Sequence, residues 1–534
     1  LEQLYADRAS ELSATIARHY ELAGDGANAA RCYLTAVRRS IGVGAPDEAH
    51  ALSDRALALT ADPRSRAEIF FERETIEFRR GNRSAQEAAL ASLRELAVSL
   101  ADPELQRLTL LRRIEFATSI GDLAMLETAI RELRTHAPHD DAAWRLHIAE
   151  AKLAFSKGRL AEAYASAEAA LDCSRGSGIG VGIAQALCFL AEIEANRGNL
   201  SEAEALFDEA ERAAADATDP ELVYLSLSSA FAIAYNRRDL QRCMALGQRW
   251  LERAAALGDR PAEARARGRL GLTLTATGTR YAEAREHFAN SVRFYNEMGD
   301  MAKAAGEALN GAVLETRLGF FEKAVAATEK AVELFEGVHD QRGRVIGLAN
   351  LGFLRACAGN IEGARSAALE ARELAQQLEF GLIEASALEN LAFAEAAAGK
   401  LSDAIAHAET ALEVRARSQS EVWSSKTLAD LAVWNAALAN MPAAHDHVRR
   451  LLADEKGFPA TTEWPEYCYW AAAQVFRLEG KLPEASRALD RARQVVQAAA
   501  EGLDADDRES FAAISWHVDI AAAAQRGVWP DPPR

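Results

Sequence analysis

Residues Gly359 to Ala367 read GNIEGARSA, a glycine turn followed by a hydrophobic residue, an acid and an alanine that open an amphipathic helix. The pattern recurs as GDLAMLETA at Gly121, GRLAEAYAS at Gly158, GNLSEAEAL at Gly198, GFFEKAVAA at Gly319, GKLSDAIAH at Gly399 and GKLPEASRA at Gly480. Weaker copies at Gly44, Gly81, Arg238, Gly278 and Ala439 fill the gaps, so successive starts lie 37 to 41 residues apart. A fixed period over nearly the whole chain overrides the usual inference of one domain per ~150 residues, because stacked repeats share one continuous core.

Each period holds two helices, since apolar residues recur at helical spacing on both sides of the turn. Around Gly399 the first helix is SALENLAFAEAAA and the second LSDAIAHAETALEV. Leu388, Leu391, Ile405 and Leu412 supply a buried stripe there, while Ala404, Ala408 and Ala411 let neighbouring helices approach closely. A lone hairpin cannot bury both faces, so the hairpins must stack.

Composition agrees. The 534 residues are 49% hydrophobic with only 13 prolines, and the abundant Ala, Leu, Glu and Arg are strong helix formers. A formal net charge of −18 repels nucleic acid and anionic lipid, so neither is an expected partner. Cys32, Cys173, Cys188, Cys243, Cys357 and Cys468 are widely spaced and form no CxxC pair, which suits a reducing compartment. With no apolar run of about 18 to 20 residues and no signal-peptide pattern, the expected location is the cytoplasm. The start at Leu1, without methionine and inside an amphipathic stretch, suggests a preceding segment.

One stretch invites a different reading. Arg175 to Ala184, RGSGIGVGIA, has the glycine density of a phosphate-binding loop. Such a loop follows a strand, whereas here a helix comes first, and the stretch shares its register with LGDRPAEARA at Leu257 and MGDMAKAAGE at Met298. It reads as a joint between repeats. No GxxxxGK[ST], HExxH or GxSxG motif occurs, so neither a cofactor nor an enzymatic reaction is expected.

Asn350-Leu351-Gly352 with Gly359 and Ala364, and Asn390-Leu391 with Gly399 and Ala404, resemble the tetratricopeptide repeat over residues from about 30 to 500. The period exceeds that family's usual length, as in the long-helix variants of kinesin light chains and bacterial regulators. The resemblance implies an all-α fold, a right-handed α-solenoid of about twelve helix pairs whose first helices line a concave groove. The expected divisions are a leading helix in 1–28, the solenoid in 29–503, and a closing helix with an extended tail in 504–534. IARHYELAGDGANAARCYLTAVRRS near the amino end and DRESFAAISWHVDIAAA near the carboxyl end resemble parts of bacterial signal-transduction ATPases with numerous domains. That superfamily includes maltose-type transcriptional activators and some nucleotide cyclases, in which a switch module precedes a helical-repeat sensor.

Nine residues before their turns stand Arg269, Asn310, Asn350, Asn390 and Asp430, the last four 40 apart. Stacking places such a column along one line, about 10 Å per step. The resemblance implies that this column faces the groove, where its asparagines bond the backbone of a bound peptide. An amide offers both donor and acceptor, which matches an extended chain. Arg265, Arg317, Phe353, Phe393 and Lys426 are the neighbouring groove positions, giving cationic and aromatic supplements that favour an acidic ligand. The plainer alternative is that the asparagines bond a neighbouring helix.

Other groupings read more simply. His136, His139 and His147 with Asp140 and Asp141, and His445 and His447 around Asp446, lack the convergence that a metal needs. Trp423, Trp434, Phe458, Trp464, Tyr467, Tyr469 and Trp470 either seal the last repeats or form a stacking platform for a small effector. The expected function is non-catalytic: a sensor region of a signalling ATPase or transcriptional regulator that binds a protein, peptide or small-molecule effector. A free-standing scaffold and the regulatory region of a nucleotide cyclase are the alternatives.

Overall fold

The computed structural model describes residues 12–531 except 121, 136–142, 198, 215–223, 225–226, 229, 233, 236–237, 279, 418–423 and 454–463. After a leading helix α1 (Ser13–Leu22), the first three pairs are α2 (Gly26–Gly42) with α3 (Pro46–Leu59), α4 (Pro63–Arg80) with α5 (Arg83–Ser99), and α6 (Pro103–Ile120) with α7 (Leu123–Thr135). Next come α8 (Ala143–Ser156) with α9 (Leu160–Ser177) and α10 (Gly180–Arg197) with α11 (Leu200–Ala214). The sixth pair joins α12, whose described positions fall within 224–235, to α13 (Leu240–Ala256). Repeats seven to nine are α14 (Arg260–Thr277) with α15 (Tyr281–Glu297), α16 (Met301–Arg317) with α17 (Phe321–Gly337), and α18 (Gln341–Cys357) with α19 (Ile361–Gln377). The last three are α20 (Gly381–Ala397) with α21 (Leu401–Arg417), α22 (Ser425–Ala437) with α23 (Met441–Leu451), and α24 (Pro465–Leu478) with α25 (Leu482–Ala500). A cap of α26 (Ala505–Ala512) and α27 (Ser515–Arg526) follows. Among the described residues there is no strand, and the architecture is an all-α solenoid.

The turn signal works through backbone conformation. Gly44, Gly81, Gly158, Gly278, Gly319, Gly359, Gly399 and Gly480 all take positive φ, the left-handed conformation that ends a helix and reverses the chain. Arg238 (φ 55) and Ala439 (φ 60) adopt it without glycine, so packing imposes the same turn on the weaker copies. The opposite joints start with aspartate caps: Asp259, Asp300 and Asp340 each accept the amide of the residue three ahead. RGSGIGVGIA is such a joint. Gly178 ends α9 in the left-handed conformation and Gly180 opens α10.

First helices of successive repeats pack on one another, as α18 does on α20 and α22 on α24, whereas successive second helices do not pack comparably. The first helices therefore form the inner layer of the curve. Gly352 shows why they can approach: a Cβ there would lie 2.9 Å from the Cβ of Ala368 and 3.2 Å from that of Asn390.

Curvature brings the chain back onto itself about five repeats later. Phe155 at the end of α8 meets Phe380 at the start of α20, ring centroids 6.5 Å apart, and Val345, Leu378 and Phe380 share one buried core with Trp144, Ile148 and Leu187. The cap closes the far end similarly: Arg285 on α15 donates to both carboxylate oxygens of Asp507 on α26, at 3.1 and 2.9 Å. The inner surface is thus the wall of a lumen enclosed by stacked superhelical turns.

Candidate functional site

The groove positions expected from the sequence divide into two groups. Arg317, Phe353, Phe393, Lys426 and Asp430 meet at the carboxyl-terminal end of the lumen and are satisfied there by one another and by the aromatic cluster. The Lys426 ammonium lies 4.4 Å from the Phe393 ring centroid and 5.3 Å from that of Phe353. It also donates to Asp430 Oδ2 at 2.7 Å, while Tyr467 donates its hydroxyl to Oδ1 at 2.7 Å. Arg317 stacks over Trp464 at 4.0 Å, and Trp464 meets Trp516 of the cap edge-on at 5.4 Å. Burial raises the Asp430 carboxyl against the opposing pull of Lys426, and lifts the Tyr467 hydroxyl well above its ordinary range. Cys357, beside this cage, is pushed up to about 12 by burial.

The remaining positions, Arg265, Arg269, Asn310, Asn350 and Asn390, run along α14, α16, α18 and α20. Asn390 donates to the Ala349 carbonyl of the preceding repeat at 2.8 Å, and Asn310 to Glu307 at 3.3 Å. Asn350 is half-buried, and its side-chain amide makes no hydrogen bond among the described residues. Arg265 lies over the Trp250 ring and Arg269 over Phe231, each 5.7 Å from the centroid. Neither guanidinium has an ion pair or hydrogen bond among the described residues.

Charged groups on several first helices combine accessible side chains with titration shifted by burial. Glu115 keeps 54% of its side chain accessible, yet burial raises its carboxyl, opposed by Arg112. Lys303 keeps 42%, yet burial lowers its ammonium, countered by Asp300. Burial likewise raises Glu307, against Arg269 and the Asn310 amide.

Sequence reasoning missed Glu307, three residues before Asn310 and therefore on its face of the helix. It also missed Arg83 and Lys303, which face each other electrostatically across two superhelical turns; no local signal relates residues so far apart. Of the histidine groups, 136–142 lie outside the described residues, and His445 pairs with Glu479 at 2.9 Å while burial lowers His447. Among the described residues no cluster of three or more metal-ligating side chains occurs. Trp423 and Phe458 also lie outside them. The six cysteines are free thiols. No described helix is long and apolar enough to cross a membrane.

No family model matches this chain, and no curated protein matches it. Among solved structures it is similar to the Cut9–Hcn1 hetero-tetramer of the APC/C, at 14% identity and TM-score 0.55 over 96% of this chain and 98% of that one. A Rap protein complexed with competence and sporulation factor aligns at 14% identity and TM-score 0.47, over 74% of this chain and 99% of that one. A signal-transduction ATPase with a tetratricopeptide-repeat sensor from Pyrococcus horikoshii aligns at 13% and 0.39, over 79% and 74%. The first likeness establishes the fold, a tetratricopeptide-like solenoid; the other two, below 0.5, add nothing to it.

Proposed function

We propose that the solenoid is non-catalytic and binds an extended acidic segment of a partner protein in its lumen. The reading is carried by Arg265 and Arg269, two guanidiniums one helical turn apart that make no ion pair or hydrogen bond among the described residues, in a chain of net charge −18. A guanidinium stacked on an aromatic ring keeps its planar donors free for a carboxylate. The open amide of Asn350 and that of Asn310 extend the row toward a peptide backbone. Calorimetric titration with a glutamate-rich peptide tests this. Replacing both arginines by glutamine should weaken binding at least about tenfold and flatten its salt dependence; unchanged affinity defeats the reading.

On the resemblance of its two ends, the finer proposal is a cytoplasmic sensor region of a signalling ATPase or transcriptional regulator, in which occupancy of the lumen biases a switch module by differential affinity for its states. The gene sequence upstream of Leu1 decides this. A phosphate loop there supports the sensor, a cyclase module favours the cyclase alternative, and an immediate start codon leaves a free-standing scaffold.

A further inference from the structure

The contact between superhelical turns is not uniform along its length. Between repeats four and five and repeats nine and ten it is an apolar weld, with Phe380 fully buried against Phe155. Between the first three repeats and repeats six to eight it is mostly polar: Phe294 and Met298 pack beside Gly81, but among the described residues no buried apolar cluster spans the two turns. Arg260, half-exposed, donates to the Arg80 carbonyl at the end of α4 (3.1 Å), and Lys303 donates to the Ser119 carbonyl near the end of α6 (2.9 Å). Each cation thus sits on a helix carboxyl terminus of the other turn, where the helix dipole favours it. Beside them the turns part around a cleft of about 1230 Å³, whose walls include Asp47, Asn82, Asp122, Asn296 and His339.

The turn glycines here have a second task. A Cβ on Gly44 would run into the backbone of Ala256 and Leu257, and one on Gly81 would lie 2.9 Å from the Phe294 ring. Gly359 and Gly399 share the same turn conformation, φ 83 and 78, yet have nothing within 4 Å. The absent side chain at Gly44 and Gly81 therefore permits contact between superhelical turns as well as the turn itself.

We propose that this polar seam is the part of the superhelix that opens, hinged on the Phe155–Phe380 weld, and that it gives side access to the lumen beside Arg265. Access rests on the acidic-segment reading above; the opening itself does not. Arg265 stands five residues after Arg260 on α14, so parting the Arg260 contact with the Arg80 carbonyl exposes that end of the row, and Lys303 feels the charge of Arg265 from the neighbouring repeat. Staples on helix ends and glycine contacts hold less firmly than a buried aromatic core, and local opening follows the weakest contacts.

Gly44→Ala and Gly81→Ala test this against Gly399→Ala, which carries the same left-handed strain without a neighbour to strike. Hydrogen exchange is measured across the whole chain. The wedge variants should exchange about tenfold faster than the control in α2 to α6, with α8 and α20 unchanged. Exchange equal to the control overturns the seam. Arg260→Gln with Lys303→Gln, which leaves both turns unstrained, should give the same pattern and a larger radius of gyration by X-ray scattering; no change in either overturns it as well. A fluorescent glutamate-rich peptide should associate faster with the wedge variants. An unchanged association rate with raised exchange overturns side access. Absence of binding to every variant with raised exchange defeats the acidic-segment reading and leaves the opening supported.

Discussion

Asn390 donates its side-chain amide to the backbone carbonyl of Ala349, one repeat earlier, at 2.8 Å, whereas Asn350 occupies the equivalent position without such a bond. The same residue type in the same register thus holds the stack together at one step and stays open at another.

Their substitutions should separate. Asn390→Ala removes an inter-repeat bond and should lower stability by about 1 kcal/mol. Asn350→Ala should leave thermal melting within about 0.5 kcal/mol of the parent while weakening the glutamate-rich peptide. Melting curves and titrations on the two variants check this, and equal destabilisation would remove the distinction.

The Lys426–Asp430 pair should behave as a buried charge pair. Lys426→Met keeps the volume but strands a buried carboxylate, and should cost about 3 kcal/mol. Adding Asp430→Asn removes the stranded charge and should recover much of the loss. A denaturation series on the single and double variants measures the coupling, and a neutral single variant contradicts it.

Burial lowers His287, His407 and His447 below the ordinary 6.5, in each case with a nearby arginine adding to the effect. The unfolded chain therefore binds more protons between 6.5 and the lowered folded values, and stability must fall as pH drops through that window. Thermal melts below pH 6.5 should show the loss, and replacing the three by glutamine should shrink it. A flat profile in the parent would contradict the burial argument.

Cys357 and Cys243, both pushed up to about 12 by burial, should resist alkylation. Their thiolate fraction at neutral pH is lower by about a thousandfold than that of a free thiol. Timed iodoacetamide labelling read by mass spectrometry should modify Cys173 ahead of Cys357, which has the same intermediate exposure, and the buried Cys243 last; early labelling of Cys357 would contradict its raised thiol.

Helix pairs, turns and inner-layer positions were legible because each is local. Left-handed turns favour glycine, caps favour aspartate or asparagine, and a stripe at helical spacing calls for burial. The lumen site was legible in part. Register places Arg269, Asn310 and Asn350 of the proposed site in one row on the first helices, but Arg317 and Lys426 are engaged by Trp464 and Asp430, partners that follow from how the last repeats and cap fold inward.

What the sequence determined by itself is therefore the repeating unit: two helices, a left-handed turn, a polar column on the first helix. What only the tertiary structure decided is which copies do further work. Gly81 and Gly399 have the same turn conformation, yet one faces Phe294 of the next superhelical turn and the other faces nothing within 4 Å. Each repeat is rotated on the one before it, and the sum over about five of them brings distant residues into contact. No local pattern encodes that sum, so the seam, the weld and the free arginines appear only once the whole superhelix is closed.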